Sequence, residues 1–304
     1  GPLMRLAAQV AQAAGCRLMA PLFSPRLERG EGTPELEQLL YPVDANAELL
    51  KDVRKLVCCG TNPPVNFFAY PGKPSLPTPA DAHVLDLANA GMDLEFALNG
   101  LADRLDARAQ TVTPIELALP DRPEGPLSPA TAGALIARAM PENAIVVNES
   151  VTSGFPIVTA TRTAKRHDLL ATMGGAIGQC LPAATGAAVA CPDRKVIALT
   201  GDGSAMYTLQ SLWTMARERL DVTVIVFANR GYQILRGELA AMGVTQVGRN
   251  AQAMFDVDDP LLDWVALAQG HGVPGIRATT VDEMEAALDQ AMASAGPRLI
   301  EVVI

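Results

Sequence analysis

Two short turns hold the residues best suited to chemistry. Gly201-Asp202-Gly203-Ser204 follows the apolar run 195–200, and Asn229-Arg230-Gly231-Tyr232 follows a second apolar run, 222–228. Residues 205–219 between them have helical character. The order is strand, turn, helix, parallel strand, turn, which puts both turns at the carboxyl ends of adjacent strands, where open α/β sheets bind ligands. Glycines 201 and 203 let the backbone approach an anion closely, and Ser204 opens a helix whose N-terminus favours negative charge. Asp202 offers a hard carboxylate oxygen, Asn229 a neutral one and Gly231 a carbonyl. Mg²⁺ takes a few such protein oxygens and completes its shell with phosphate oxygens and water. The two turns together therefore suit a diphosphate held through Mg²⁺.

Other readings compete for the same residues. A lone Gly-Asp-Gly is more often an ordinary glycine turn. Gly201-x-Gly203-x-x-Met206 lacks the third glycine of a dinucleotide fingerprint; Asp221 lies at about the distance of a ribose carboxylate but precedes its strand instead of ending it. No Gly-x-x-x-x-Gly-Lys-Ser/Thr occurs, which excludes a P-loop.

The elements that must position these turns read as two doubly wound, mainly parallel α/β domains. Residues 1–106 form a partial α/β domain, with helices expected over 3–14, 34–40, 45–53 (capped by Asp44) and 92–105, and strands over 16–21, 55–60 and 83–87. A proline-rich linker spans 107–127. The second domain, 128–304, opens at Ser128-Pro129, a helix cap followed by proline at the first position. Strands are expected at 144–148, 169–172, 222–228, 275–278 and 299–304. Gly174-Gly175-Ala176-Ile177-Gly178 is expected to open a small-residue helix reaching about residue 190, and further helices are expected over 233–242, 260–270 and 282–294.

The chain of 304 residues is 49% hydrophobic and 19% charged, the balance of a well-buried α/β protein. Its net charge of −9 has no basic stripe, which argues against nucleic acid. No charge-free apolar run is long enough to span a membrane. The five cysteines form no C-x-x-C pair and read as buried thiols of a reducing compartment, so cytoplasm is the expected location. His83 is expected to pack in its strand, and His167 and His271 to lie in loops or at the surface. Gly1-Pro2-Leu3 ahead of Met4 reads as a protease scar or as a place where a longer chain was cut.

The second domain resembles the diphosphate-binding domain of thiamine diphosphate (ThDP)-dependent enzymes, in the branch of benzoylformate decarboxylase and the acetolactate synthase large subunit. The resemblance rests on Asn148-Glu149-Ser150, Gly174 to Gly178, Leu181-Pro182-Ala183-Ala184, Gly201 to Ser204, and Asn229 about two dozen residues beyond Asp202. Residues 148–235 align with benzoylformate decarboxylase without a gap. Ala228 departs from the family's Asn-Asn, at the position that is not the metal ligand. The first hundred or so residues resemble the last part of the family's middle domain, including Phe68-Ala69-Tyr70-Pro71-Gly72.

The resemblance implies that Asp202, Asn229 and the Gly231 carbonyl hold Mg²⁺. It implies that Thr152, Ser204 and the Tyr232 amide contact the diphosphate, with Val151, Gly201 and Gly203 beside it. The Gly175 carbonyl would accept from the aminopyrimidine, and Ile177 would be the apolar wedge that bends the cofactor. Leu235 and Glu238 would line the substrate pocket. Glu238 stands where benzoylformate decarboxylase has an aromatic residue, and the Gln-Trp segment of acetolactate synthases is replaced by Arg236-Gly237-Glu238-Leu239. The implied activity is decarboxylation or carboligation of a small 2-oxo acid.

The glutamate that activates the cofactor belongs, in the family, to an N-terminal pyrimidine-binding domain that nothing in residues 1–304 resembles. The expected partners are therefore that domain or a separate chain carrying it, in a homodimer or tetramer. The alternatives are a split-subunit or non-catalytic ThDP-binding module and, further off, a nicotinamide-dependent oxidoreductase. Glu149 reads more readily as a solvated or paired carboxylate than as an acid–base group.

Overall fold

Helical periodicity at the start of the chain becomes α1 (Pro2–Ala14), which buries Leu6, Ala8, Val10 and Ala11 and stops at Gly15 in a left-handed conformation (φ 64°). The structure, a computed structural model, describes residues 1–89 and 91–304. Two compact units divide it: Gly1–Ser24 with Thr33–Ile115, and Pro25–Gly32 with Glu116–Ile304. Residues 25–32 thus belong with the second unit, although they lie inside the first domain expected from the sequence.

In the first unit, α1 is followed by β1 (Met19–Ala20). The chain leaves for β2 (Leu27–Arg29), a strand of the second unit, and returns as β3 (Glu37–Gln38), parallel to β1. Residues 37–38 are thus extended, against the helix expected over 34–40; the pairing with β1 and the Arg17 guanidinium on Glu37 (Nε–Oε1 2.8 Å) hold them so. Next comes α2 (Val43–Leu50). It starts behind Pro42, so Asp44 is not its cap but a first-turn residue, and its carboxylate is taken by Lys73 (2.6 Å). β4 (Lys55–Cys59) and β5 (His83–Ala88) pair in parallel, and α3 (Leu94–Arg104) is capped by Asp93. Leu6 and Val10 of α1 pack on Leu98 and Ala102 of α3. His83 is exposed, not packed. Cys16 and Cys59 are exposed as well, while Cys58 and Cys180 are buried, and all five thiols are free.

The second unit continues with α4 (Pro129–Ala139), β6 (Ala144–Glu149), α5 (Gly154–Ala160), β7 (His167–Ala171) and α6 (Cys180–Ala190). Then come β8 (Val196–Gly201), α7 (Asp202–Ala205), α8 (Ser211–Arg217), β9 (Val222–Ala228), α9 (Gln233–Ala241) and α10 (Arg249–Phe255). The chain finishes with α11 (Trp264–Gly270), β10 (Gly275–Ala278), α12 (Val281–Met292) and β11 (Arg298–Val303). Seven strands lie in the order β10-β11-β9-β8-β6-β7-β2, parallel except for β2 at the edge.

Period-two burial produces the two layers of helices. Val146, Ile197, Leu199, Ile225, Phe227 and Ile300 face one core with α4, α5 and α12. Ile145, Val147, Val196, Ala198, Val224 and Val226 face the other with α6, α8 and α11. Each such aliphatic side chain contributes roughly 1.5–3 kcal/mol by leaving water. The cap read at Ser128 is present as a reciprocal capping box with Thr131. Two expected helices are shorter than their periodicity. The run 205–219 is broken into α7 and α8, and the one over 260–270 starts only at Trp264. Among the described residues no helix is long and apolar enough to cross a membrane.

Ionic contacts fasten the amino-terminal edge of this sheet. Lys195 is buried, and its Nζ donates to Asp221 (2.7 Å) and to the carbonyls of Ala291 (2.8 Å) and Ser294 (3.2 Å) at the end of α12. Asp221, the candidate ribose carboxylate, is thereby held at the edge opposite the two turns. His167, expected at the surface, is 1% exposed; burial lowers its pKa, and Nδ1 lies 2.8 Å from the Lys165 carbonyl.

Beside it, Asp168 accepts from Arg26 (2.7 Å) and meets Arg194 (2.8 Å). Burial alone would raise the Asp168 carboxyl, but the two guanidinium groups outweigh it and hold its pKa below the ordinary value. A carboxylate depressed in the folded state contributes stability above its unfolded pKa of about 3.9 and loses it as pH falls through the folded value. Asp168→Asn is therefore expected to cost roughly 2–3 kcal/mol at pH 7. In urea titrations at several pH values, its deficit against the wild type should shrink steadily below about pH 4.

Candidate functional site

The strand order reverses at β6: the chain goes from β6 outward to β7, then crosses back to β8 on the other side. Ligands of open α/β sheets bind at the carboxyl ends flanking such a point. The segments after β6, β7, β8 and β9 all leave the sheet at that edge, and they carry nearly every residue singled out in the sequence.

Asp202 ties two of these segments together. It is 4% exposed, its Oδ1 accepts from the Gly203 amide (2.8 Å), and its Oδ2 accepts from the Arg230 amide (2.6 Å) in the turn after β9. Burial raises its pKa, and these amides work against the rise. Asn229, half-buried, closes its own turn, with Oδ1 accepting from Gly231 N (3.2 Å). Ala228, the departure from Asn-Asn, is the last buried residue of β9.

Glycine is required at both turns. A Cβ on Gly203 would lie 2.6 Å from Tyr232 Cε1, and one on Gly231 would lie 2.8 Å from the Phe255 carbonyl and 2.9 Å from an Arg236 guanidinium nitrogen. Ser204 is buried in the single turn of α7, which opens at Asp202 with Gly201 as its N-cap.

The turn after β6 holds Val151 and Thr152 in a short 3₁₀ stretch, Val151–Ser153, both half-buried. Val151 has φ 46°, a strained value for a β-branched side chain. Ser153 sits at the N-cap of α5 but makes no side-chain cap bond. Asn148 Oδ1 instead accepts from Ser150 N (3.1 Å) and Oγ (2.6 Å), and Gly154 leaves room for both side chains.

After β7 the chain does not become the expected helix at Gly174; α6 starts at Cys180. Gly174 (φ 66°), Gly175 (φ 68°) and Gly178 (φ 92°) are all left-handed, which an α-helix cannot accommodate. The result is an open loop in which Gly175 is exposed and Ile177 half-buried. Thr208 Oγ1 donates to the Gly178 carbonyl (2.9 Å), which binds this loop to the segment after α7.

One assignment is not offered by this arrangement. The Tyr232 amide, expected to face a diphosphate, donates to the Phe255 carbonyl (2.8 Å), because Gly231 bridges to Asp256 at the end of α10. The Gly231 carbonyl accepts from Gln233 N (3.1 Å) and keeps a second lone pair. Leu235 and Glu238 lie on α9, Leu235 42% exposed, and α9 passes beside the Val151–Ser153 turn.

Sequence reasoning missed three neighbours. Arg236 lies over Gly231 and pairs with Asp256. Tyr207 packs on Gly178 and, after burial, helps to raise the pKa of the Tyr232 phenol. Glu149 is neither solvated nor ion-paired: it is 3% exposed, and the Cys180 amide and the Thr200 hydroxyl hold its carboxylate. An acid closing a strand that opens with four apolar residues was the available signal for it.

The donor chemistry fits a hard cation. One buried carboxylate, one amide oxygen and one carbonyl stand on two turns that Asp202 itself joins, beside glycines that admit close approach of an anion. Among the described residues there is no group of three or more His, Cys, Asp or Glu that could hold a metal ion.

Residues 155–302 match the family described as thiamine pyrophosphate enzyme, C-terminal TPP binding domain. Residues 155–302 thus carry the C-terminal cofactor-binding domain found in thiamine diphosphate-dependent enzymes. A Mycobacterium tuberculosis protein named "Putative acetolactate synthase large subunit IlvX" is 44% identical over the whole of this chain, which spans 59% of it. Benzoylformate decarboxylase of Pseudomonas aeruginosa is 34% identical over 69% of this chain and 39% of its own length. A solved 4-hydroxybenzoylformate decarboxylase of Rhodococcus jostii RHA1 superposes with a TM-score of 0.78 at 26% identity, covering 98% of this chain and 58% of that one. The chain spans less than two thirds of each of these relatives.

Proposed function

We propose that this chain supplies the diphosphate- and Mg²⁺-binding half of a thiamine diphosphate enzyme that decarboxylates or carboligates small 2-oxo acids. The observation that carries this reading is the Asp202 carboxylate, buried and bonded to both ligand-bearing turns at the reversal point of the sheet. In this proposal Asp202, Asn229 and the Gly231 carbonyl hold Mg²⁺, while Ser204 and Thr152, with Val151, Gly201 and Gly203 beside them, meet the diphosphate. Gly175 and Ile177 meet the pyrimidine side, and Leu235 and Glu238 line the substrate pocket. Tyr232 contributes its ring above Gly203 instead of its amide.

When bound, the cofactor supplies a thiazolium that accepts the electron pair left as a 2-oxo acid loses CO₂. The chain's own residues anchor the charged tail, exclude water beneath it and orient the ring. The relatives' greater length supports the further proposal that a pyrimidine-binding domain, on the same or another chain, completes the site in a cytoplasmic homodimer or tetramer.

Calorimetric titration with ThDP and Mg²⁺, followed by assay of 2-oxo acid consumption, tests the reading. Binding by this chain, with turnover dependent on the pyrimidine-binding domain, is the expected result. Turnover by residues 1–304 alone would remove the partner from the proposal. NAD binding without ThDP binding would remove the proposal itself.

A further inference from the structure

The loop between β7 and α6 carries Gly175 and Ile177, yet it has little of its own to hold it in place. Three of its residues are left-handed glycines, and residues 173–176 are exposed. Two devices fix it. Gln179 clamps Met173 at both ends, with Oε1 accepting from Met173 N (3.1 Å) and Nε2 donating to Met173 O (2.8 Å). Glu149 holds the far end: Oε2 accepts from Cys180 N (2.8 Å), and the nearby Gly178 and Gln179 amides also favour its charged form. The other oxygen of the same carboxylate accepts from Thr200 Oγ1 (3.2 Å), wholly buried in β8 two residues before Asp202.

We propose that Glu149 is a positioning residue. Its buried carboxylate locks the Gly174–Gly178 loop to the strand that presents Asp202, and so fixes the spacing between the pyrimidine side and the diphosphate side of the cofactor site. The proposal rests on the thiamine diphosphate reading. Glu149 touches neither proposed end of the cofactor; it acts through the Cys180 amide on one side and Thr200 on the other. A carboxylate is suited to this because one oxygen accepts from the amide and the other from the hydroxyl. A carboxamide could keep both links, donating to Thr200 Oγ1 while that hydroxyl turns to the Gly201 carbonyl, whereas leucine keeps neither.

The discriminating comparison is between ThDP, which must reach both turns, and inorganic pyrophosphate, which needs only the diphosphate side. Each is titrated with Mg²⁺ into the whole chain and into Glu149→Leu. The expected result is a roughly tenfold loss of ThDP affinity, about 1.4 kcal/mol, with pyrophosphate affinity within about twofold of wild type. Equal losses for the two ligands, or no loss for either, would overturn the positioning role. Absence of ThDP binding by the wild-type chain would instead overturn the cofactor reading on which it stands.

Should Glu149→Leu fail to fold, Thr200→Val removes one member of the lock while keeping its volume, and the same selectivity is expected at a few-fold. Hydrogen exchange in ligand-free Glu149→Leu gives a second readout. The Cys180 amide should exchange faster and the Gly203 amide at the wild-type rate; unchanged exchange at Cys180 would sink the proposal.

Discussion

Asp202→Ala is expected to abolish the rise in melting temperature that ThDP with Mg²⁺ gives the wild-type chain. A ligand present at a hundredfold excess over its dissociation constant stabilises the folded state by about 2.7 kcal/mol, which for a protein of this size is a shift of roughly 4 °C. Asp202 is the one charged member of the proposed donor set, and a divalent cation held by two neutral oxygens and water binds weakly. The variant should also melt earlier without ligand. Removing the carboxylate leaves the amides of Gly203 and Arg230 unpaired, at roughly 1–3 kcal/mol for each buried donor. The quantity to compare is therefore the ligand-induced shift, with each protein serving as its own reference. A wild-type-sized shift in Asp202→Ala would mean that the metal sits elsewhere.

Gly30→Ala should be among the most destabilising single-methyl additions available in this chain. Gly30 has φ +88°, and a Cβ there would lie 2.6 Å from the carbonyl oxygens of both Ala164 and Lys165, which are backbone and cannot swing aside. A left-handed alanine costs roughly 1–2 kcal/mol and overpacking roughly 1–3 more, so about 3–4 kcal/mol is expected. Gly32 provides the control. It is also left-handed (φ +77°), but a Cβ there meets nothing within 4 Å, so Gly32→Ala should cost only about 1–2 kcal/mol. Urea midpoints of the two variants at matched m-values measure the difference. Similar losses would show that the close approach to 164–165 gives way at little cost.

The sequence made the central sheet and the location of the site legible for one reason: both are written locally. Val222–Ala228 is an unbroken buried run, so its period and its ends can be read directly. One strand–helix–strand unit fixes the interval from Asp202 to Asn229. What stayed hidden depends on distant partners. β2 is three residues long, and only its pairing with β7, far along the chain, makes it a strand. The stretch 174–178 is rich in small residues and reads as helix, but its glycines take left-handed angles that composition does not reveal. The Tyr232 amide is consumed by Phe255 on a short helix with no strong sequence signal. Glu149 could be read as paired or solvated, yet its partners are a backbone amide 31 residues away and a hydroxyl 51 residues away.

The place of β11 in the sheet bears on how this protein is born. β11 lies between β9 and β10, hydrogen-bonded to each along its length. During vectorial synthesis both neighbours leave the ribosome first, and each exposes an unpaired edge until β11 emerges to join them. Until β11 has emerged, the nascent second unit therefore keeps open strand edges at both β9 and β10, the state in which a chain is most exposed to mispairing and most in need of a chaperone.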